Sequence, residues 1–151
     1  MKELTLTTDF NVPATPERVF PLLCPVLEYK WLAPWRCELL HSQSGVAEED
    51  CVFRTGMADN NPMTWVISHY EPSTRIEFSC FVPDSHIMRL KIALALTPDG
   101  VRLTWTHRFL ATSPAGEAWL GQEVAADQEN RMGFIQRALI HYLETGTMLR
   151  P

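Results

Sequence analysis

The order of structural elements is decided early, where residues 10–20 read FNVPATPERVF. Apolar and polar side chains alternate from Leu4 to Val12, which predicts a half-buried strand that Pro13 ends. Thr15 is a good helix N-cap and Pro16 a good first helical residue, so a short helix should follow at once. The chain is therefore expected to open with a strand and then leave the sheet.

A second short helix is predicted to start at Pro25 and to reach Leu32. The middle of the chain that follows reads as strand after strand. Turn sequences separate these strands, and TPDG at residues 97–100 is a strong hairpin signal. Short turns without intervening helices favour antiparallel pairing. Six further strands are predicted, at residues 36–42, 50–57, 63–70, 75–82, 87–96 and 101–110.

One long amphipathic helix is predicted at the end, from Pro114 to Thr145, with Ser113 as its cap and Gly146 as its stop. Gly121 and Gly133 would lie inside it, and close packing explains such glycines better than room left for a ligand. Its apolar face is approximated by Trp119, Val124, Gln128, Met132, Ile135, Leu139 and Tyr142.

Composition limits the classes of function. The 151 residues fit one domain, 1–151, with a sizeable core, and 46% of them are hydrophobic. A net charge of -5 without a basic cluster argues against a nucleic-acid partner. No apolar stretch reaches transmembrane length and the start lacks the apolar core of a signal peptide, so we predict no membrane insertion and a cytoplasmic location.

Five segments carry a family resemblance: VPATPERVF at 12–20, YKWLAPW at 29–35, WVISHYEPSTRIEF at 65–78, GVRLTWTH at 100–107 and the helix end at 133–144. In this order they resemble the START-like superfamily, also called SRPBCC or Bet v 1-like. The branches that the chain resembles most are the polyketide cyclase/dehydratase and Aha1-type (activator of Hsp90 ATPase homologue) branches. The resemblance implies an α+β helix-grip fold, in which a seven-stranded antiparallel curved sheet surrounds the long C-terminal helix and two short helices follow strand 1.

In such a fold the concave sheet face looks at the long helix, and period-two alternation assigns that face. His69 and His107 are the polar exceptions on it, and with Tyr142 they could orient a ligand. For each histidine the alternative is a structural residue hydrogen-bonded at the cavity rim. The predicted ligand-binding residues are Trp65, His69, Phe78, Met88, Leu90, Trp105, His107, Met132, Ile135 and Tyr142.

These observations predict binding of a small hydrophobic molecule, lipid-like or polyketide-like, in a cavity between the sheet and the C-terminal helix. One alternative is a cyclase/dehydratase-type enzyme, which would need an acid and a base converging on the ligand; no catalytic residue can be named. The other is an Aha1-like protein-interaction module with a protein partner, a filled core and an exposed apolar patch.

We predict no cofactor and no metal, because no metal-ligand or nucleotide motif is present. Cys37 and His41 would lie over 10 Å apart on a strand, by roughly 3.3 Å per residue. The four cysteines are expected to be reduced thiols in the core. Tyr29, Trp31 and Trp35 could form a gate to the cavity, although a hydrophobic plug that seals one end explains them better.

Overall fold

Seven strands form one antiparallel sheet in the computed structural model, which describes residues 1–151. Alternating apolar side chains let each strand bury one face while the other meets solvent. The strands are β1 (Glu3–Val12), β2 (Glu38–His41), β3 (Val52–Thr55), β4 (Met63–Glu71), β5 (Arg75–Val82), β6 (His86–Thr97) and β7 (Gly100–Ala111).

The first strand pairs with the last, so the strand order across the sheet is β1-β7-β6-β5-β4-β3-β2. The predicted seven-stranded antiparallel curved sheet is confirmed. The long hairpin of β6 and β7 pairs without interruption from His86 opposite Ala111 to Thr97 opposite Gly100. Strands β2 and β3 are shorter than predicted, at four residues each.

Short helical segments cross one end of the sheet after β1. Helix α1 spans Pro16–Val19, and two 3₁₀ turns follow at Phe20–Leu23 and Leu27–Lys30. Arg18 Nη2 donates to the carbonyl oxygen of Leu143 at 2.7 Å, which ties this end to the C-terminal helix. The two predicted short helices are therefore present, in tighter and more broken form.

The predicted continuous helix over residues 114–145 is wrong, because the chain forms α2 (Pro114–Leu120) and α3 (Val124–Thr145). Gly121 ends α2 rather than lying inside a helix. Both predicted ends hold: Ser113 Oγ accepts from the Gly116 amide at 3.0 Å, and Gly146 takes the left-handed conformation at φ 72°.

Close packing does not explain Gly133. A Cβ there would meet only the guanidinium of Arg137, at 3.3 Å, and no part of the sheet. Gly116 is the tightly packed glycine of these helices, because a Cβ there would collide with the backbone carbonyl of Ser85 in the turn before β6.

The core lies between the inner sheet face and α3. Alternate residues of β5, β6 and β7 are buried, and the outer face carries ion pairs such as Arg102 with Asp9 at 2.7 Å. Helix α3 adds Val124, Gln128 and Met132 from its first half. None of the helices has the length and apolar character needed to cross a membrane.

Candidate functional site

Strand β7 presents a row of parallel rings to the interior. The centroids of Trp105 and His107 lie 6.3 Å apart with planes 16° from parallel, and those of His107 and Phe109 also lie 6.3 Å apart, at 13°. Trp105 and His107 are 4% and 6% exposed. The predicted inward placement of these side chains therefore holds, and two of them carry polar atoms into the core.

Three of the four buried polar side-chain atoms that lack a hydrogen-bond partner belong to β7 and α3. They are Trp105 Nε1, His107 Nδ1 and, from α3, Gln128 Nε2. Gln128 is 8% exposed. Buried polar groups are normally hydrogen-bonded, and each unsatisfied one costs about 1–3 kcal/mol. The interior between β7 and α3 therefore holds unused hydrogen-bonding capacity.

The turn of α3 that carries Gln128 also places a positive charge here. Arg131 lies three residues further along the same helix, a spacing that puts the two side chains on neighbouring positions. Its charge reaches His107 on β7 and Cys80 on β5. Arg131 itself is exposed, so it stands at the edge of the buried region.

Burial keeps His107 neutral. Loss of solvent, with a smaller contribution from Arg131, lowers the pKa of His107 to about 4. The imidazole therefore carries one N–H at neutral pH. Burial also raises the pKa of the Cys80 thiol to about 12, against the opposing effect of Arg131, so this sulfur stays protonated. Neither group is set up as a nucleophile or a strong base.

An aromatic cluster continues the lining across the sheet. Trp65 stacks on Phe53 with centroids 5.6 Å apart, and Phe78 meets both rings edge-on at 6.2 Å. Trp65 Nε1 donates to Thr55 Oγ1 at 2.9 Å, so its polar atom is already satisfied. Trp65 and Phe78 thus offer packing surface rather than hydrogen bonds.

The other predicted site residues also lie at the core. Met88, Leu90 and Met132 are buried. Leu90 stands directly opposite His107 in the β6–β7 register, and Phe78 stands opposite Leu90 on its other side. Ile135 and Tyr142 are partly buried and pack against the same cluster from α3.

His69 is misplaced by the sequence prediction. The register between β4 and β5 shifts between Ile67 and His69, as in a β-bulge, and an extra residue turns the following side chains to the other face. His69 Nε2 lies 3.0 Å from Arg75 Nη2 and 3.1 Å from Glu71 Oε2, outside the core. Tyr70 takes the inward position and packs edge-on against Phe20 at 5.4 Å.

Beside Tyr70 lies a half-open pocket of about 80 Å³. The 3₁₀ turns form one wall, and Ala47 and Ile76 lie on the others. On the neighbouring turn, Glu28 carries a carboxyl whose pKa burial raises to about 8. This pocket is small and almost wholly apolar, so it offers packing space without a polar anchor.

The aromatic side chains near the 3₁₀ turns fit the interpretation of a hydrophobic plug better than that of a gate. Trp31 is fully buried and donates its indole N–H to Leu22 O at 2.8 Å, and Trp35 donates to Pro25 O at 2.7 Å. Tyr29 is exposed and binds both backbone groups of Cys37 through its hydroxyl. All three side chains are held by backbone groups.

Gln128 and Arg131 are candidate site residues that the sequence prediction did not include. The signal for Gln128 was available, since it is the polar member of an otherwise apolar helix stripe. Arg131 carried no such signal, because an exposed arginine on a helix is ordinary.

Residues 3–139 match the family described as polyketide cyclase / dehydrase and lipid transport. No curated protein matches the sequence. Among solved structures, DynU16 from the dynemicin biosynthetic locus is 20% identical with a TM-score of 0.64; the match covers 95% of this chain and 48% of DynU16. This chain therefore spans about half the length of DynU16.

Two other solved structures match over nearly their full length. A Rhodobacter sphaeroides protein is 20% identical with a TM-score of 0.68, covering 93% of this chain and 91% of that one. Ara h 8.0201 is 15% identical with a TM-score of 0.68, covering 95% and 99%. At these identities the likeness is one of fold.

Proposed function

This chain belongs to the polyketide cyclase / dehydrase and lipid transport family of the START-like (SRPBCC) superfamily, and from that premise we propose that it binds a small hydrophobic molecule between the sheet and α3. The observation that carries the proposal is the set of unpaired buried atoms on Trp105, His107 and Gln128. Isolated polar groups in an apolar, aromatic lining are typical of a small-molecule site.

Carriage of the ligand is favoured over its chemical conversion. The buried polar side chains of the sheet and α3 are Thr55, His86, His107 and Gln128, and none of them is a carboxylic acid. The one carboxyl whose pKa burial raises, that of Glu28, belongs to the 3₁₀ turn Leu27–Lys30 and not to the sheet or α3. A cyclase or dehydratase needs an acid and a base near the operating pH, and His107 titrates well below it. The same groups suffice to orient a ligand whose apolar body supplies the affinity.

Native mass spectrometry of gently purified protein, with organic extraction of the bound material, tests this proposal. We expect a stoichiometric extra mass that extracts as a lipophilic compound. A Trp105→Phe, Gln128→Leu double variant should co-purify with less of it. A protein that purifies empty and takes up none of a panel of fatty acids, fatty alcohols and polycyclic aromatics would contradict ligand binding.

A further inference from the structure

The unpaired groups at this interface are mainly hydrogen-bond donors. Among them, the indole N–H of Trp105 can only donate, and the unpaired Gln128 atom is the amide nitrogen, also a donor. The exposed guanidinium of Arg131, three residues beyond Gln128 on α3, can only donate as well. The neutral imidazole of His107 can donate a hydrogen bond through one ring nitrogen and accept one through the other. A bound molecule that supplies hydrogen-bond acceptors would therefore pair with the donors of Trp105, Gln128 and Arg131.

The positive charge of Arg131, like the unpaired donors, favours a ligand group that is negatively charged and accepts hydrogen bonds. Arg131 takes part in none of the five ion pairs of the structure. It acts on two buried groups, His107 and Cys80, which belong to different strands. A positive charge at the edge of an apolar interior, without an acidic partner, favours an anionic group beside it.

We propose that the ligand is an amphipathic acid, whose carboxylate accepts hydrogen bonds from Trp105 Nε1, Gln128 Nε2 and Arg131 at the β7–α3 interface. A carboxylate has two oxygens and about four acceptor sites, enough for these three donors. Its apolar body lies along the inner sheet face, over Leu90 and toward Met132. This inference rests on the proposed function and adds the chemical class of the ligand.

Matched acids and methyl esters test the head group. Octanoic, decanoic, dodecanoic and 2-naphthoic acid and their methyl esters are compared by competition in native mass spectrometry, since each pair shares one apolar body. The acid should bind about tenfold or more tightly than its own ester, as expected for charge-assisted hydrogen bonds. Equal or tighter binding of the esters overturns the acid inference and leaves the proposed function standing; binding of neither class overturns both.

Arginine variants test the position of the head group. Arg131→Gln removes an exposed charge, so the fold should persist, and acid affinity should fall about tenfold while ester affinity stays the same. Arg137→Gln removes an exposed charge from the same helix and should change neither. Equal losses in the two variants would show a general charge effect and contradict a carboxylate at Arg131.

Gln128→Met separates a binding role from a structural one. Replacing a buried, unpaired amide by an apolar side chain should raise the stability of the empty protein. It should also weaken acid binding, since one donor is lost. A variant that is more stable and binds the acids as tightly as the wild type would remove Gln128 from the site.

Discussion

His107 is held neutral by its surroundings. Its ring lies between those of Trp105 and Phe109 on β7, almost removed from water, and the charge of Arg131 adds to the effect. In the unfolded chain the same side chain titrates near 6.5, whereas the folded pKa is about 4. The unfolded state therefore binds the proton more readily between these values, so stability falls as the pH drops through this window.

This difference predicts the stability of a His107→Leu variant as a function of pH. From pH 7 to pH 5 the wild type should lose about 2 kcal/mol more unfolding free energy than the variant, from the linkage of a folded pKa near 4. Glu28, whose raised pKa acts in the opposite direction, is common to both proteins and cancels. Urea denaturation at both pH values measures the difference, and parallel pH profiles would show that His107 is not buried neutral.

The residues of the candidate site differ in how well the sequence predicts their placement. Strict alternation on β7 was enough to place Trp105 and His107 inside, because one face of a regular strand must be buried. The bulge between Ile67 and His69 places His69 on the opposite face from the predicted one, and the alternation of apolar and polar residues in the sequence does not reveal the bulge. Whether a buried polar atom has a hydrogen-bond partner depends on the three-dimensional packing, so it could not be predicted from the sequence.

At the scale of elements, α2 and α3 share the covering of the sheet but meet it differently. Gly116 in the first turn of α2 lies against the backbone of Ser85, so that turn is locked to the start of β6. Gly133 in the middle of α3 touches only the flexible end of Arg137. The sequence shows two similar glycines in a helical pattern and gives no means to tell these environments apart.

Alanine substitutions at these glycines should have opposite effects. Gly116→Ala forces a Cβ into a backbone carbonyl and should destabilise the protein by about 1–3 kcal/mol. Gly133→Ala removes an unfavourable residue from a helix interior, so it should stabilise by up to about 1 kcal/mol. Chemical denaturation of both variants is the measurement. A stabilising Gly116→Ala would contradict the packing of α2 against the turn before β6.

The helix break at Gly121 shows a limit of the periodic pattern. The apolar residues of 114–145 follow a helical period well enough to predict one helix, yet three residues between Leu120 and Val124 redirect the chain. Periodicity reports which residues face the core, while a break of less than one turn alters it too little to be noticed. The break separates α2, which packs against β7 and the turn before β6, from α3, which contacts β1.

At the scale of the whole molecule, the order of elements predicted the fold well. Pairing of the first strand with the last brings the N-terminal region beside β7, the strand that carries the unpaired groups of Trp105 and His107. The short helical segments and the Arg18 hydrogen bond close one end of the core. What this architecture encloses depends on a few side chains, so the order of elements predicts the fold but not the chemistry of the enclosed side chains.

The binding claim is tested most directly by the indole N–H signals in a ¹H–¹⁵N spectrum, recorded with and without the tightest-binding acid of the panel. Trp105 should shift downfield as its unpaired N–H acquires an acceptor, and Trp105→Phe assigns the signal. Trp31, Trp35 and Trp65, whose indoles already donate within the protein, should move little. An unchanged Trp105 signal in protein saturated with ligand would contradict a binding site between β7 and α3.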